Sequence, residues 1–206
     1  MNGTYINIYH FLYIMELLKF HFDKLEEKSN YPYFYKFVEE LTKPGIIPMS
    51  IIIEIGIKDE NKSTVIFDAI ANKYNGNFIT SDTNQARIDA ITNKLGQRTQ
   101  VIKESTIMFI YNLVTYIKAN DNFKKSKIHL HLNMYDTSLT EIENANIYLN
   151  CYYIAKSLFI PGSQLLVNTN NNETLVTILK KEIPDYIHIN NNDSYLLFKI
   201  KETDDI

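Results

Sequence analysis

The chain has 206 residues, 45% of them hydrophobic, enough for one continuous core and within the size of one domain. A net charge of −3 supplies no basic field to hold a phosphate backbone, which argues against nucleic acid as the partner. Cys151 is the only cysteine, which excludes internal disulfides and cysteine-rich zinc sites and fits a reducing, cytoplasmic compartment.

The first forty-odd residues carry helical periodicity: Ile6, Tyr9, Tyr13, Leu17 and Phe20 recur at spacings of three and four. His10, Glu16, Lys19 and His21 interrupt this apolar stretch well before the roughly 20 residues a membrane span needs, so no membrane association is expected. A second helix is expected around Tyr33 to Leu41, stopped by Lys43-Pro44-Gly45. These aromatic helices either cap the chain's own core or face a second subunit, which would make a homodimer. The expected organisation is one domain over 1–206, with residues 1–45 a helical extension and 46–206 an α/β core.

From Ile51 the pattern becomes short apolar runs alternating with longer amphipathic segments, the signature of βα units and a parallel sheet. Ile51 to Ile55 reads as a buried strand, followed by a helix from about Ser63 to Tyr74. Asn77 to Ser81 is the second strand. Thr83 then offers a cap for a helix to Leu95, and Gly96 a stop. Gln100 to Lys103 and Lys127 to Leu132 are the third and fourth strands, separated by a helix from Ile107 to Lys118. Ser138 and Glu141 have capping-box spacing for a long helix towards Phe159, which Pro161-Gly162 breaks. Gln164 to Val167 is the fifth strand, and a helix over Glu173 to Lys181 follows. The link between Tyr186–Ile189 and Tyr195–Lys201 is too short for a parallel crossover, so these two are expected as an antiparallel hairpin. The expected fold is thus Rossmann-like, seven-stranded and mostly parallel, with a C-terminal antiparallel hairpin.

In such sheets ligands bind beyond the carboxyl ends of the strands, so the informative residues follow each strand. They are Glu54 to Thr64 after strand one, Asp82 after strand two, Glu104 and Ser105 after strand three, Asn133 and Asp136 after strand four, and Asn168 to Asn170 after strand five. His129 and His131 alternate with apolar residues on strand four and share a sheet face; the bland reading of such histidines is structural. No phosphate-binding loop, serine-histidine-aspartate arrangement or paired zinc ligands appear, and the missing G-x-G-x-x-G after strand one disfavours a nicotinamide-dependent oxidoreductase.

Three segments, IIIEIGIKDENKSTVIF, NFITSDTNQARIDAI and HLHLNMYDTSLTEIENANIYLNCYYIAKSLFIPGSQLLVNT, resemble class I S-adenosylmethionine-dependent methyltransferases, in particular small O-methyltransferases. The resemblance covers roughly residues 51–200. It implies S-adenosyl-L-methionine as cofactor, with Asp82 on the ribose hydroxyls and Gly56 and Ser63 beside the amino-acid part. It further implies Glu54 towards the ammonium, and Glu104 and Ser105 at the adenine. It implies a small hydroxylated or amino-bearing acceptor, a sugar among the candidates, and places the last strand between strands five and six. Family loops carry further glycines where this chain has Lys58, Asp59, Glu60 and Asn61. Metal-dependent members supply carboxylates after strands four and five, where this chain has Asn133 and Asn168, so no metal site is expected. Asp136 is then the expected residue to orient or deprotonate the acceptor, with His131 in reserve. The alternative is a catalytically inactive scaffold or binding protein with the same fold.

Overall fold

The computed structural model describes residues 32–42, 50–58, 62–183 and 194–200. Elements are numbered here from the first described helix. They run α1 (Pro32–Leu41), β1 (Ser50–Ile55), α2 (Lys62–Tyr74), β2 (Asn77–Asp82), α3 (Gln85–Thr92), β3 (Thr99–Lys103), α4 (Thr106–Ala119) and β4 (Lys127–Leu132). Then come α5 (Glu141–Ala155) with a short 3₁₀ turn (Lys156–Leu158), β5 (Gln164–Asn168), α6 (Glu173–Glu182) and β6 (Tyr195–Lys199).

The strand order is β3-β2-β1-β4-β5-β6. The first five strands are parallel and β6 runs antiparallel to β5, with Leu165 opposite Phe198 and Val167 opposite Leu196. The described sheet therefore has six strands rather than the expected seven; the segment read as the remaining strand, 186–189, lies outside the described residues, as does its hairpin turn. The antiparallel sense of the last strand is as expected.

β1 is buried along its whole length, which is why it reads as an isoleucine run interrupted by Glu54 rather than an alternation. Successive side chains serve two cores. Ile53 and Ile55 pack with Phe109, Leu113, Tyr148 and Leu175 under α4, α5 and α6, whereas Ile52 packs with Phe34, Phe37, Phe67 and Phe78 under α1 and α2. Phe34 and Phe37 are almost wholly buried, so α1 caps the chain's own core. The rest of the aromatic N-terminal region, on which the dimer expectation rests, lies outside the described residues. No helix among the described residues is long and apolar enough to cross a membrane.

Two caps differ from expectation. The cap of α3 is Asn84, whose side chain accepts the Ala86 and Arg87 amides, and not Thr83. The capping box of α5 is formed by Thr140 and Glu143, two residues beyond Ser138 and Glu141, because Ser138 is already held by Asp136 in a turn of its own.

Candidate cofactor site

Register places Glu54 of β1 between Thr80 of β2 and His131 of β4. Its carboxylate is fully buried and ringed by polar groups. Ser63 Oγ donates to Oε1 and Thr64 Oγ1 to Oε2, each at 2.5 Å, Thr80 Oγ1 donates to Oε2 at 3.3 Å, and His131 Nδ1 lies 3.1 Å from Oε1. A buried carboxylate is tolerated only when so satisfied. Glu54 therefore ties the first turn of α2 to the sheet, and its oxygens point into the protein rather than outwards to a ligand.

Gly56 follows with φ of +91°, and a Cβ there would lie 2.6 Å from the carbonyl oxygen of Asn133. Only glycine allows the chain to leave β1 so close to the end of β4. Bonds from Gly56 N to Ser81 O and from Asn133 N to Ile55 O extend the ladder one step beyond the strands. Asp82 closes the same corner: Oδ2 accepts the amide of Ile57 at 2.8 Å and Oδ1 that of Asn84 at 2.7 Å, with the Arg87 guanidinium 3.7 Å away. Since an ionised carboxylate has about four acceptor positions, this buried group holds the loop in shape and keeps acceptor capacity in reserve.

At the end of β3, Glu104 accepts from Asn112 of α4 at 2.7 Å, and the exposed Ser105 opens α4 without a side-chain capping bond. Across the rim, Asn133 and Asn168 pair with each other, Asn168 Nδ2 donating to Asn133 Oδ1 at 2.8 Å. Lys58 Nζ donates to the Tyr135 carbonyl at 3.0 Å, joining the loops after β1 and β4. Asp136 is exposed, and its Oδ1 accepts both the amide and the hydroxyl of Ser138; those bonds hold its carboxyl below the usual range. Among the described residues no three His, Cys, Asp or Glu side chains gather as a metal site.

The structure thus brings Glu54, Gly56, Ser63 and Asp82 together at the carboxyl end of β1 and β2, with Glu104 and Ser105 at the neighbouring strand end. It places His131 elsewhere: the ring is wholly buried beneath the sheet, against Phe34, Phe67 and Tyr195, and not on the open rim. Sequence reading missed Thr80 and Arg87 as members of this corner; Lys58 and Thr64 lie in the run after strand one that it did mark. The signal for Thr80 and His131 was present, since parallel order β2-β1-β4 makes them Glu54's flanking register partners.

An open α/β sheet with this order, a glycine turn after β1, a carboxylate ending β2 and an antiparallel last strand defines a class I methyltransferase fold. Solved structures agree. MycE methyltransferase from the mycinamycin biosynthetic pathway, in complex with magnesium and S-adenosylhomocysteine, superposes with a TM-score of 0.56 at 9% identity over 93% of this chain and 54% of that one. The other crystal form of that MycE complex gives 0.50 at 10% identity over 83% of this chain and 43% of that one. A putative ribosomal RNA methyltransferase from Plasmodium falciparum gives 0.52 at 14% identity, covering 87% of this chain and 94% of that one. The chain spans about half the length of the MycE chains it matches. No protein-family model and no curated protein matches the sequence.

Proposed function

We propose that the chain is an S-adenosylmethionine-dependent methyltransferase of the cytoplasm, acting on a small hydroxyl- or amino-bearing acceptor, a sugar among them, without a divalent metal. The observation that carries the reading is the Gly56–Asp82 corner. The Asp82 carboxylate shapes the loop through the Ile57 amide and retains acceptor positions suited to a pair of ribose hydroxyls.

The chemistry of the donors fits the cofactor. Asp82 would take the ribose; the amides opening α2, a helix of 13 residues, would face the amino-acid carboxylate with the positive end of the helix dipole. Glu104 and Ser105 would border the adenine. Glu54, with its oxygens taken, supports this group through Ser63 and Thr64 and does not touch it. When bound, the cofactor supplies an electrophilic methyl group on a sulfonium. The protein's part is to align the acceptor for in-line attack and to manage its proton. Asp136 stands on the acceptor side, and its lowered pKa suits it to orienting a hydroxyl more than to removing its proton.

The metal-free part of the proposal rests on Asn133 and Asn168, neutral amides engaged with each other at the strand ends. They are poor ligands for a hard cation. Cys151, buried and with its thiol pushed up to about 12, is inert chemically and consistent with a reducing compartment. Nucleic acid is not proposed as a partner, and the homodimer proposed is one through the aromatic N-terminal helices.

Calorimetric titration with S-adenosylhomocysteine tests the reading. Stoichiometric binding in the micromolar range is expected; absence of binding would replace it with the scaffold alternative.

A further inference from the structure

Hydrogen bonds at the rim share one direction. Asn170 N donates to Asn168 Oδ1 at 2.9 Å, Asn168 Nδ2 to Asn133 Oδ1 at 2.8 Å, Asn133 Nδ2 to Ser63 Oγ at 3.4 Å, and Ser63 Oγ to Glu54 Oε1 at 2.5 Å. Every donor points towards Glu54, so the chain runs from the loop after β5, across β4, to the first turn of α2. On the far side of Glu54 stands His131, 3.1 Å away through Nδ1, with both side chains completely buried. Its other nitrogen, Nε2, is buried with no hydrogen-bond partner among the described residues, and the rings of Phe34, Phe67 and Tyr195 surround the imidazole at centroid distances of 5.5 to 6.0 Å.

A histidine buried among aromatic rings would be expected to pack, and an apolar side chain would do so without leaving a bare nitrogen in the core. What an apolar side chain lacks is a donor for Oε1. The carboxylate then keeps the hydroxyls of Ser63, Thr64 and Thr80, but Oε1 loses one of its two partners and is held by Ser63 alone.

We propose that His131 is a positioning residue: its Nδ1–H fixes the Glu54 carboxylate, and Glu54 in turn fixes Ser63 and Thr64 and the first turn of α2, the element that would receive the cofactor's amino-acid end. The proposal rests on the methyltransferase reading for its link to cofactor, but the positioning of α2 is measurable without it. His131 therefore acts on Glu54 and not on the acceptor, with Nδ1 facing the carboxylate.

The experiment compares His131→Asn, whose amide nitrogen falls near the place of Nδ1, with His131→Leu, which fills the aromatic pocket but donates nothing. Calorimetry with S-adenosylhomocysteine should show His131→Leu weakened by about tenfold or more, the scale of a lost hydrogen bond to a charged group, and His131→Asn within about threefold of the native chain. A packing role predicts the reverse order. Native-like affinity in His131→Leu, or equal losses in both variants, would overturn the proposal. If the native chain binds no S-adenosylhomocysteine, the methyltransferase reading fails, and positioning is judged by amide exchange at Ile66 and Phe67, early amides of α2. Faster exchange in His131→Leu alone sustains it, and unchanged exchange defeats it. Should His131→Leu not fold, nitrogen NMR of the native protein decides: a proton on Nδ1 is expected, and a bare Nδ1 overturns the proposal.

Discussion

β4 buries two histidines on one sheet face, two residues apart, and treats them differently. Near its amino end His129 is held by neutral groups, Nδ1 to Gln164 Oε1 at 2.8 Å and Nε2 to Ser50 Oγ at 3.2 Å, and burial drives its pKa down to about 4. Near its carboxyl end His131 faces the Glu54 carboxylate. The sheet's amino edge is thus closed with uncharged hydrogen bonds, whereas its carboxyl edge spends a buried charge. Buried charge seldom improves stability over an apolar replacement of the same shape. Its presence beside the Gly56 turn and Asp82 is what the proposed cofactor site would account for.

The largest effect should come from breaking the charged edge at its centre. Glu54→Leu leaves Ser63, Thr64 and His131 with buried donors and no acceptor, and should cost about 3–5 kcal/mol of folding stability, the scale for breaking a buried pair. Urea denaturation of the two proteins measures it. A loss under about 1 kcal/mol would show that the hydroxyls find other partners readily.

Next in size is the acid response of the neutral edge. An ordinary histidine titrates near 6.5 and His129 near 4, so the folded state resists protonation that the unfolded state accepts. The stabilisation is complete above pH 6.5 and is lost as pH falls towards 4. Between pH 7 and pH 4.5 this one group should account for about 2–3 kcal/mol of lost stability. His129→Gln should remove that part of the slope. Parallel stability–pH curves for the two proteins would contradict the assignment.

Much of this was legible in the residues and some was not. Five strands fell where apolar runs put them, β4 from Lys127 to Leu132 without adjustment; β1, β2, β4 and β5 are buried along most of their length, which leaves such strands little other composition, whereas β3 is only partly covered. The caps were harder. Ser138 with Glu141 and Thr140 with Glu143 offer the same spacing, and only the competing Asp136–Ser138 turn selects the second. Glu54 was singled out as a ligand for the cofactor's ammonium, yet its partners lie on two other strands and a helix. Local sequence contains no register, so a carboxylate turned outwards and one satisfied within look alike until strand order is known. Of the loop over Lys58, Asp59, Glu60 and Asn61, residues 59–61 lie outside the described residues.

Asp82 tests whether the charged edge serves a ligand as well as the fold. Asp82→Ala should weaken S-adenosylhomocysteine binding by roughly 1.5–3 kcal/mol, as expected for hydrogen bonds to a charged acceptor. Part of that loss would come through the loop, since the Ile57 and Asn84 amides lose their acceptor too. Asp82→Asn separates the parts, because its single carbonyl oxygen can keep one amide while losing the charge. Unchanged affinity in both variants would assign Asp82 to the loop alone.

The smallest effect is expected at Asp136, and its smallness is informative. Its carboxyl is exposed, and the Ser138 hydroxyl and amide, in that order, hold its pKa down, with Lys58 adding to them. A carboxylate so stabilised is ionised throughout the neutral range but is a weak base, so the role proposed for it in methyl transfer is to orient an acceptor hydroxyl. Asp136→Asn keeps a carbonyl oxygen for Ser138 and for the acceptor, and should lower kcat by less than about tenfold, against the 10²–10⁴ typical of losing a general base. The pH profile of kcat should keep its shape, because no group titrating in the working range has been removed. The same assay run with excess EDTA should give an unchanged rate, as the paired amides Asn133 and Asn168 offer a divalent ion no charge. A fall of a hundredfold or more in Asp136→Asn would make Asp136 the base after all, and activity lost to EDTA and restored by magnesium would move the acceptor's activation from the side chain to a metal.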